Sequence, residues 1–369
     1  MWKDLGRPRI PIAKPEIGEQ ELRNVTAAVK SGWVSSKGAF ISRFEKGFAK
    51  YVGTKYGVST CNGTTALHLA LACLGVGRGD QVIVPSLTFV APVSAVVYTG
   101  AKPVFVDSDP RYWCIDPEKI RKKISNRTKG IIAVDLYGHP CDMDPILEIA
   151  RAEGLFVIED CAEAHGAEYK GKKVGRFGTI SCFSFYGNKM LTTGEGGMCL
   201  TDSYGYASSM RILRDHGMNP RKRYWHDVVG FNYRLTNLQA ALGVAQLSKL
   251  DSTISKKRRL ARTYRDLLRG VESIVLPPEM PWAKNVYWLY SVLLQESSRP
   301  KVMRQMDRAG IELRPFFYPA HKLPPYRTKD HLTTAEELSR QGINLPSGAG
   351  LSDEDVSYVC KSLKRALAK

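Results

Sequence analysis

The sequence of 369 residues lacks any long apolar run. No stretch approaches the roughly 18–20 apolar residues that a membrane-spanning helix requires, and the first ten residues contain no apolar core of a signal peptide. We therefore expect a cytoplasmic protein without membrane insertion. Internal repeats and low-complexity segments are missing too, which argues against a repeat architecture.

Paired cysteines are also missing. The eight cysteines are scattered singly, without a C-x-x-C pair or a histidine spacing suited to zinc. Most lie in apolar runs, where a thiol packs as a small hydrophobic side chain. We expect neither disulfides nor a metal site.

Basic residues are abundant, and 54 of them against 36 acidic residues give a formal charge of +18. They are dispersed, and the densest clusters, at 221–223 and 256–259, belong to no recognisable nucleic-acid module. The cluster at 256–259 is typical of a solvated helix face, whereas the one at 221–223 is suited to attracting a nucleoside diphosphate. We expect no nucleic-acid partner. The alternative to an enzyme is a non-catalytic protein that uses the basic charge to bind a nucleotide or a nucleic acid.

Short apolar strands alternate with helices through the first part of the chain. Strands are predicted at 56–60, 81–85, 102–107, 130–136, 155–160, 180–185 and 197–201, and helices at 17–30, 40–51, 89–98, 116–124, 142–152 and 236–249. This alternation predicts an α/β fold with a mostly parallel central sheet flanked by helices.

The pattern changes after residue 250. A long basic helix at about 253–268 leads to strands at 286–294 and 311–316 and to helices at 302–309 and 353–367. We predict a large domain over 1–250, which begins with an extended arm, and a smaller α+β C-terminal domain over 251–369.

A lysine and an acid occupy two positions suited to chemistry. Lys189 lies in a turn between two apolar strands, and Asp160 ends another strand. Ligands of open α/β sheets bind outside the carboxyl ends of the strands. A nucleophilic lysine with a buried acid is typical of pyridoxal phosphate (PLP) chemistry, in which the amine bonds to the cofactor's aldehyde and the carboxylate keeps the ring nitrogen protonated.

A phosphate site is predicted at residues 61–65. Asn62, Gly63 and Thr64 directly precede an apolar helical run, so their N–H groups lie at a helix N-terminus, where the dipole favours an anion. Ser184 is placed to add a hydroxyl from the strand before Lys189.

These three stretches, in this order, resemble the fold-type I PLP enzymes, and specifically the DegT/DnrJ/EryC1/StrS family of nucleotide-sugar aminotransferases. The likeness runs from residue 33 through residue 347. The segments Leu136-Tyr-Gly-His-Pro-Cys-Asp-Met143 and Tyr224-Trp-His-Asp-Val-Val-Gly-Phe-Asn-Tyr-Arg-Leu-Thr-Asn237 look most like the subgroup that aminates C-4 of GDP-4-keto-6-deoxymannose.

The resemblance assigns roles to individual residues. It implies that Lys189 is catalytic, that Phe89 stacks on the PLP ring and that Asn232 reaches the cofactor phosphate of a neighbouring subunit, which makes the protein a homodimer with shared sites. Glu163 stands near the cofactor's ring hydroxyl, where much of the family has Gln or His. Six residues are implied to contact substrate: Ser35, Ser36, His226, Arg234, Tyr318 and His321.

The implied reaction moves the amino group of L-glutamate to the C-4 keto group of a nucleotide-diphosphate sugar. The GDP-linked sugar is expected from the subgroup likeness, and a UDP- or dTDP-keto sugar remains an alternative. A PLP-dependent sugar 3-dehydratase is a further alternative, although the dehydratases that this chain resembles carry histidine at the position of Lys189.

Overall fold

The structure is a computed structural model that describes residues 9–295 and 298–368. Its helices within those ranges are α1 Glu19–Lys30, α2 Ala39–Val52, α3 Gly63–Cys73, α4 Ala91–Tyr98, α5 Pro117–Ile120, α6 Met143–Ala152, α7 Tyr204–Leu213, α8 Asn237–Ser248, α9 Leu250–Leu268, α10 Arg299–Arg308, α11 Thr333–Gln341 and α12 Asp353–Leu367. None of these helices combines the length and apolar character that a membrane span requires.

The strands of the same ranges form three sheets. In chain order they are β1 Tyr56–Thr60, β2 Gln81–Pro85, β3 Lys102–Val106, β4 Thr128–Val134, β5 Phe156–Asp160, β6 Glu168–Tyr169, β7 Lys172–Lys173, β8 Ile180–Ser184, β9 Gly197–Thr201, β10 Ile274–Val275, β11 Ala283–Lys284, β12 Tyr290–Leu294, β13 Arg314–Pro315 and β14 Gly342–Leu345.

The central sheet has seven strands in the order β1-β9-β8-β5-β4-β2-β3. Only β9 runs antiparallel to its neighbours, and all other directions agree. Its strands are rich in Val and Ile and are largely buried, as expected for a sheet covered by helices on both faces. The predicted mostly parallel α/β sheet is confirmed.

Sheet register determines which side chains meet at the site. β5 and β8 are parallel neighbours, and Asp160 pairs with Cys182 across them. Because β8 continues only two residues further, to Ser184, the acid and the segment after β8 emerge at the same edge of the sheet. β9 then returns antiparallel, so residues 185–196 form a connection across that edge.

A second sheet, β10-β12-β14-β13, lies in the C-terminal part of the chain. One of the two hydrophobic clusters belongs mainly to this part, from Leu260 to Ala366, and also includes Ile10 from the N-terminal segment. The other cluster fills the central sheet domain, but it also takes in Ile254 and Trp288. The division at residues 250 and 251 therefore stays a prediction.

Several predicted elements differ in extent. The helix predicted at 89–98 begins at Ala91, and the one at 116–124 is a short α-helix followed by a 3₁₀ turn. Only Arg314 and Pro315 of the strand predicted at 311–316 pair in a sheet. Helices α7 and α11 were not predicted. Thr236 caps α8 as predicted, because its side chain accepts a hydrogen bond from the N–H of Gln239.

Candidate active site

Lys189 and two acids meet at the carboxyl edge of the central sheet. Asp160 is the last residue of β5, Glu163 follows three residues later, and Lys189 lies in the connection between β8 and β9. The Lys189 Nζ lies 3.8 Å from Glu163 Oε1. All three side chains line one cavity of about 470 Å³.

Burial shifts the protonation of all three groups. It raises the pKa of Asp160 to about 6, against the opposing effect of Lys189 and of the Ala162 N–H that Asp160 accepts at 3.1 Å. Burial also raises the pKa of Glu163 to about 7 and lowers the pKa of Lys189. A lysine with a lowered pKa has a larger neutral fraction near pH 7, which a nucleophile and base requires.

The N-terminus of α3 faces the same cavity. Asn62 caps this helix by accepting the N–H of Thr65, and Gly63 and Thr64 form its first turn, where backbone N–H groups have no intrahelical acceptor. Ser184 lies directly beside this turn, because a Cβ on Gly63 would stand 2.7 Å from the Cβ of Ser184. Helix dipole, free N–H groups and hydroxyls together suit a phosphate.

These groups fit pyridoxal phosphate. The amine of Lys189 suits its aldehyde, the carboxylate of Asp160 suits its ring nitrogen, and the start of α3 suits its phosphate. The hydroxyl of Thr88 also lines the cavity; it is buried and has no hydrogen-bond partner within the described residues. A buried hydroxyl without a partner in the protein indicates a place for a polar ligand atom.

Most of the predicted cofactor residues line this cavity: Asn62, Gly63, Thr64, Phe89, Asp160, Glu163, Ser184 and Lys189. Phe89 is half exposed, and its ring centroid lies 5.7 Å from that of Phe317.

Asn232 lies outside the cavity. It is exposed on the surface, and its Oδ1 accepts from Arg234 at 2.9 Å. Arg234 also pairs with Asp215 at 2.5 Å, and His226 bonds the carbonyl of His216. The predicted roles of Asn232, Arg234 and His226 stay predictions, and they require a second subunit.

The remaining predicted substrate residues do not line the cavity either. Ser35 and Ser36 lie in a surface loop that packs on the start of α8, and Tyr318 is exposed. His321 is fully buried between the hydroxyl of Ser86, at 2.6 Å, and Glu336, at 3.1 Å. These contacts join the residue after β2 to helix α11, so His321 stabilises the junction of two segments.

The sequence did not reveal three cavity residues that come from the C-terminal part. They are Trp288, Arg314 and Phe317. The ring centroid of Trp288 lies 3.7 Å from the Lys189 Nζ, and the indole N–H donates to the Asn188 carbonyl at 2.8 Å. The predicted strand at 311–316 contains two charged residues, Glu312 and Arg314, so its pattern did not single out Arg314.

Comparison with known proteins agrees with this geometry. The DegT/DnrJ/EryC1/StrS aminotransferase family matches residues 15–364. The GDP-perosamine synthases of Caulobacter vibrioides and Escherichia coli O157:H7 are 47% and 46% identical, over 98% and 96% of this chain and 99% and 97% of theirs. A dTDP-3-amino-3,4,6-trideoxy-alpha-D-glucose transaminase of Streptomyces venezuelae is 37% identical over 93% of this chain and 92% of its own length.

Solved structures share the fold. S. venezuelae DesV in complex with a ketimine intermediate superposes with a TM-score of 0.92 at 35% identity, covering 98% of this chain and all of its own. The PLP form of the putative sugar aminotransferase Spr1654 from Streptococcus pneumoniae gives 0.92 at 27% identity, covering 98% of this chain and 99% of its own. Family match, identity and fold agree over nearly the whole length, and the chain belongs to the DegT/DnrJ/EryC1/StrS aminotransferase family.

Proposed function

We propose that this protein transfers the amino group of L-glutamate to the C-4 keto group of GDP-4-keto-6-deoxy-D-mannose, which yields GDP-perosamine. The observation that carries the proposal is the convergence of Lys189, Asp160 and the start of α3 on one cavity. The GDP-linked sugar is supported by relatives at 43–47% identity that are named GDP-perosamine synthases. We also propose that the reaction takes place in the cytoplasm.

Pyridoxal phosphate is the cofactor of this family. When bound, it supplies an aldehyde that exchanges amino groups with substrates and a ring that accepts the electron pair left when a Cα proton departs. Lys189 would hold it through its amine, the first turn of α3 with Ser184 would hold its phosphate, and Phe89 would pack on its ring. Asn232 of a second subunit would complete the phosphate site, so the proposed active form is a homodimer.

Three ionisable groups of the cavity have tasks in proton transfer. Asp160, with a pKa near 6, is ionised at pH 7.5 and can accept the ring N–H. Lys189, once free, removes the Cα proton of glutamate with its neutral Nζ and delivers a proton to the sugar carbon in the second half-reaction. Glu163 lies 3.8 Å from that Nζ, and burial raises the pKa of Glu163 to about 7, so this carboxyl can hold a proton beside the lysine.

Substrate anions require a counter-charge in the cavity. Arg314 is the one guanidinium among the described residues that line it. Its side chain is 45% exposed and pairs with Glu312 at 3.3 Å. Both the carboxylates of glutamate and the diphosphate of a nucleotide sugar are suited to such a group.

A panel of substrates tests the proposal. The protein is incubated with PLP, L-glutamate and GDP-, UDP- or dTDP-linked 4-keto sugars, and the products are weighed by mass spectrometry. An amino sugar from the GDP compound supports the proposal, and the Lys189→Ala variant should form none. Product from a UDP or dTDP ketosugar alone would overturn the choice of nucleotide, in favour of the alternative represented by the 37% identical dTDP-sugar transaminase. A deoxygenated product without nitrogen would indicate the dehydratase.

A further inference from the structure

Lys257 is a buried lysine that the proposed reaction does not use. It lies in α9 with 6% of its surface exposed. Its Nζ donates to the carbonyl of Trp288 at 2.8 Å and to the carbonyl of Ser347 at 2.6 Å. Within the described residues no carboxylate forms an ion pair with it, and burial lowers the pKa of Lys257 to about 7.

A lysine in such surroundings is unfavourable unless its hydrogen bonds are well satisfied. An apolar side chain of similar length would avoid the desolvation penalty, so the retained amine calls for an explanation. Its two acceptors are backbone carbonyls from segments far apart in sequence, and both segments belong to the C-terminal part of the chain. The amine therefore fixes the position of backbone, and the part of that backbone nearest the active site is Trp288.

Trp288 is held at three points and covers the reactive lysine. Lys257 binds its carbonyl, the Asn188 carbonyl accepts its indole N–H at 2.8 Å, and its ring stacks on Tyr137 with an interplanar angle of 19°. This placement brings the ring centroid to 3.7 Å from the Lys189 Nζ. A ring face at this distance stabilises a cation over a neutral amine.

Lys257 and the reactive lysine also line a second, smaller cavity. This cavity of about 30 Å³ is lined by both lysines and by Asn188 and Met190. The charged groups that also face it are Lys14, Glu16 and Lys249. Glu16 is engaged elsewhere, because its carboxylate accepts from Lys256 at 3.0 Å. Around the Lys189 Nζ itself the charged groups are Glu163, Asp160 and Arg314.

We propose that Lys257 is a positioning residue that acts through the backbone of Trp288 to hold the indole over the Lys189 nitrogen, and thereby sets the proton affinity of that nitrogen. The inference rests on the proposed function, because it concerns the lysine that would bond to pyridoxal phosphate. Lys257 itself touches neither cofactor nor substrate in this account.

The test is a pH titration of the visible absorption band of the PLP-loaded, full-length protein without substrate. In Lys257→Met the backbone of Trp288 loses its anchor, so the indole is held less firmly over the Lys189 Nζ. We expect the midpoint of the titration to fall by about half a pH unit, as a weakened cation–π contact implies. We expect turnover to fall about tenfold and the KM values to change less than about twofold, because substrate contacts are untouched.

Arg259→Met is the matched control. It removes a basic residue two positions further along α9, and this side chain is exposed and lines neither cavity. The midpoint and the turnover of this variant should equal those of the unmodified protein.

A double variant separates positioning from general stability. Trp288→Leu removes the ring, so the midpoint should fall in that variant as well, and adding Lys257→Met to it should produce no further fall. An unshifted midpoint in Trp288→Leu would overturn the inference even if Lys257→Met did not fold. A lower melting temperature of Lys257→Met with an unchanged midpoint would reduce Lys257 to a structural role and overturn it too.

The starting spectrum distinguishes this inference from the proposed function. Absence of a visible band in the unmodified protein with PLP would overturn the proposed function, and the inference with it. A band that titrates identically in the unmodified protein and in Lys257→Met would overturn the inference alone.

Discussion

Gly63 lies so close to Ser184 that a methyl group on its Cα would stand 2.7 Å from the Ser184 Cβ. The first turn of α3 thus approaches the end of β8 at a distance that only glycine permits. This contact brings the free N–H groups of the helix next to the hydroxyl of Ser184, and it forms the proposed phosphate site.

Gly63→Ala should weaken cofactor binding. The added methyl forces α3 and β8 apart, and PLP binding must restore the phosphate site against a strain of about 1–3 kcal/mol. This corresponds to a PLP dissociation constant roughly fivefold to 150-fold higher. Spectroscopic titration of the cofactor-free protein with PLP measures it. Gly77→Ala is the control, because a Cβ there meets nothing within 4 Å. Equal PLP affinities of the two variants would show that Gly63 does not shape the phosphate site.

Asp160→Asn should change how the stability of the cofactor-free protein depends on pH. Burial raises the pKa of Asp160 to about 6 from an ordinary value of 3.8, so between these two values the folded protein retains a proton that the unfolded chain has released. Stability therefore falls as pH rises through this window, by about 3 kcal/mol for this one group.

The measurement is the melting temperature of both proteins at pH 4.5 and pH 7. We expect the fall toward pH 7 to be smaller in Asp160→Asn, while its transamination is at least about a hundredfold slower because the ring nitrogen loses its anionic partner. The same pH dependence in both proteins would show that Asp160 ionises as freely in the fold as in water.

Arg314→Ala should raise KM more than it lowers kcat. Loss of a charge-assisted hydrogen bond to a substrate anion corresponds to about 1.5–3 kcal/mol, or roughly tenfold to a hundredfold in KM. Steady-state kinetics with glutamate and with the nucleotide sugar shows which of the two substrates Arg314 binds. Arg340→Ala, an exposed arginine on α11, should behave as the unmodified protein does. Unchanged KM values for both substrates would contradict the role given to Arg314.

Mixing two inactive variants tests the shared site. In a dimer of Lys189→Ala with Asn232→Ala, one of the two sites combines an intact lysine with an intact asparagine from the other subunit. Random mixing should therefore restore about a quarter of the full activity. The mixture would remain inactive if Asn232 served the site of its own chain, or if the protein were a monomer.

Sequence patterns located the parts of the site that follow directly from strand ends and helix starts. Asp160 ends an apolar strand and Asn62 precedes an apolar helix, and both features are local. Trp288 and Arg314 reach the cavity only because segments of the C-terminal part pack onto the central sheet domain. Neither periodicity nor capping signals encode such a long-range contact. The strand predicted at 311–316 is short for a similar reason. Its partner β14 lies about 30 residues further along the chain, and only Arg314 and Pro315 pair with it.

The most direct test of the central claim is the attachment point of the cofactor. The PLP-loaded protein is reduced with borohydride, digested and analysed by peptide mass spectrometry. We predict that the cofactor's mass is found on the peptide that contains Lys189, and on that lysine alone. Reduction that leaves Lys189 unmodified, or attaches the cofactor mainly to another lysine such as Lys257, would contradict the account.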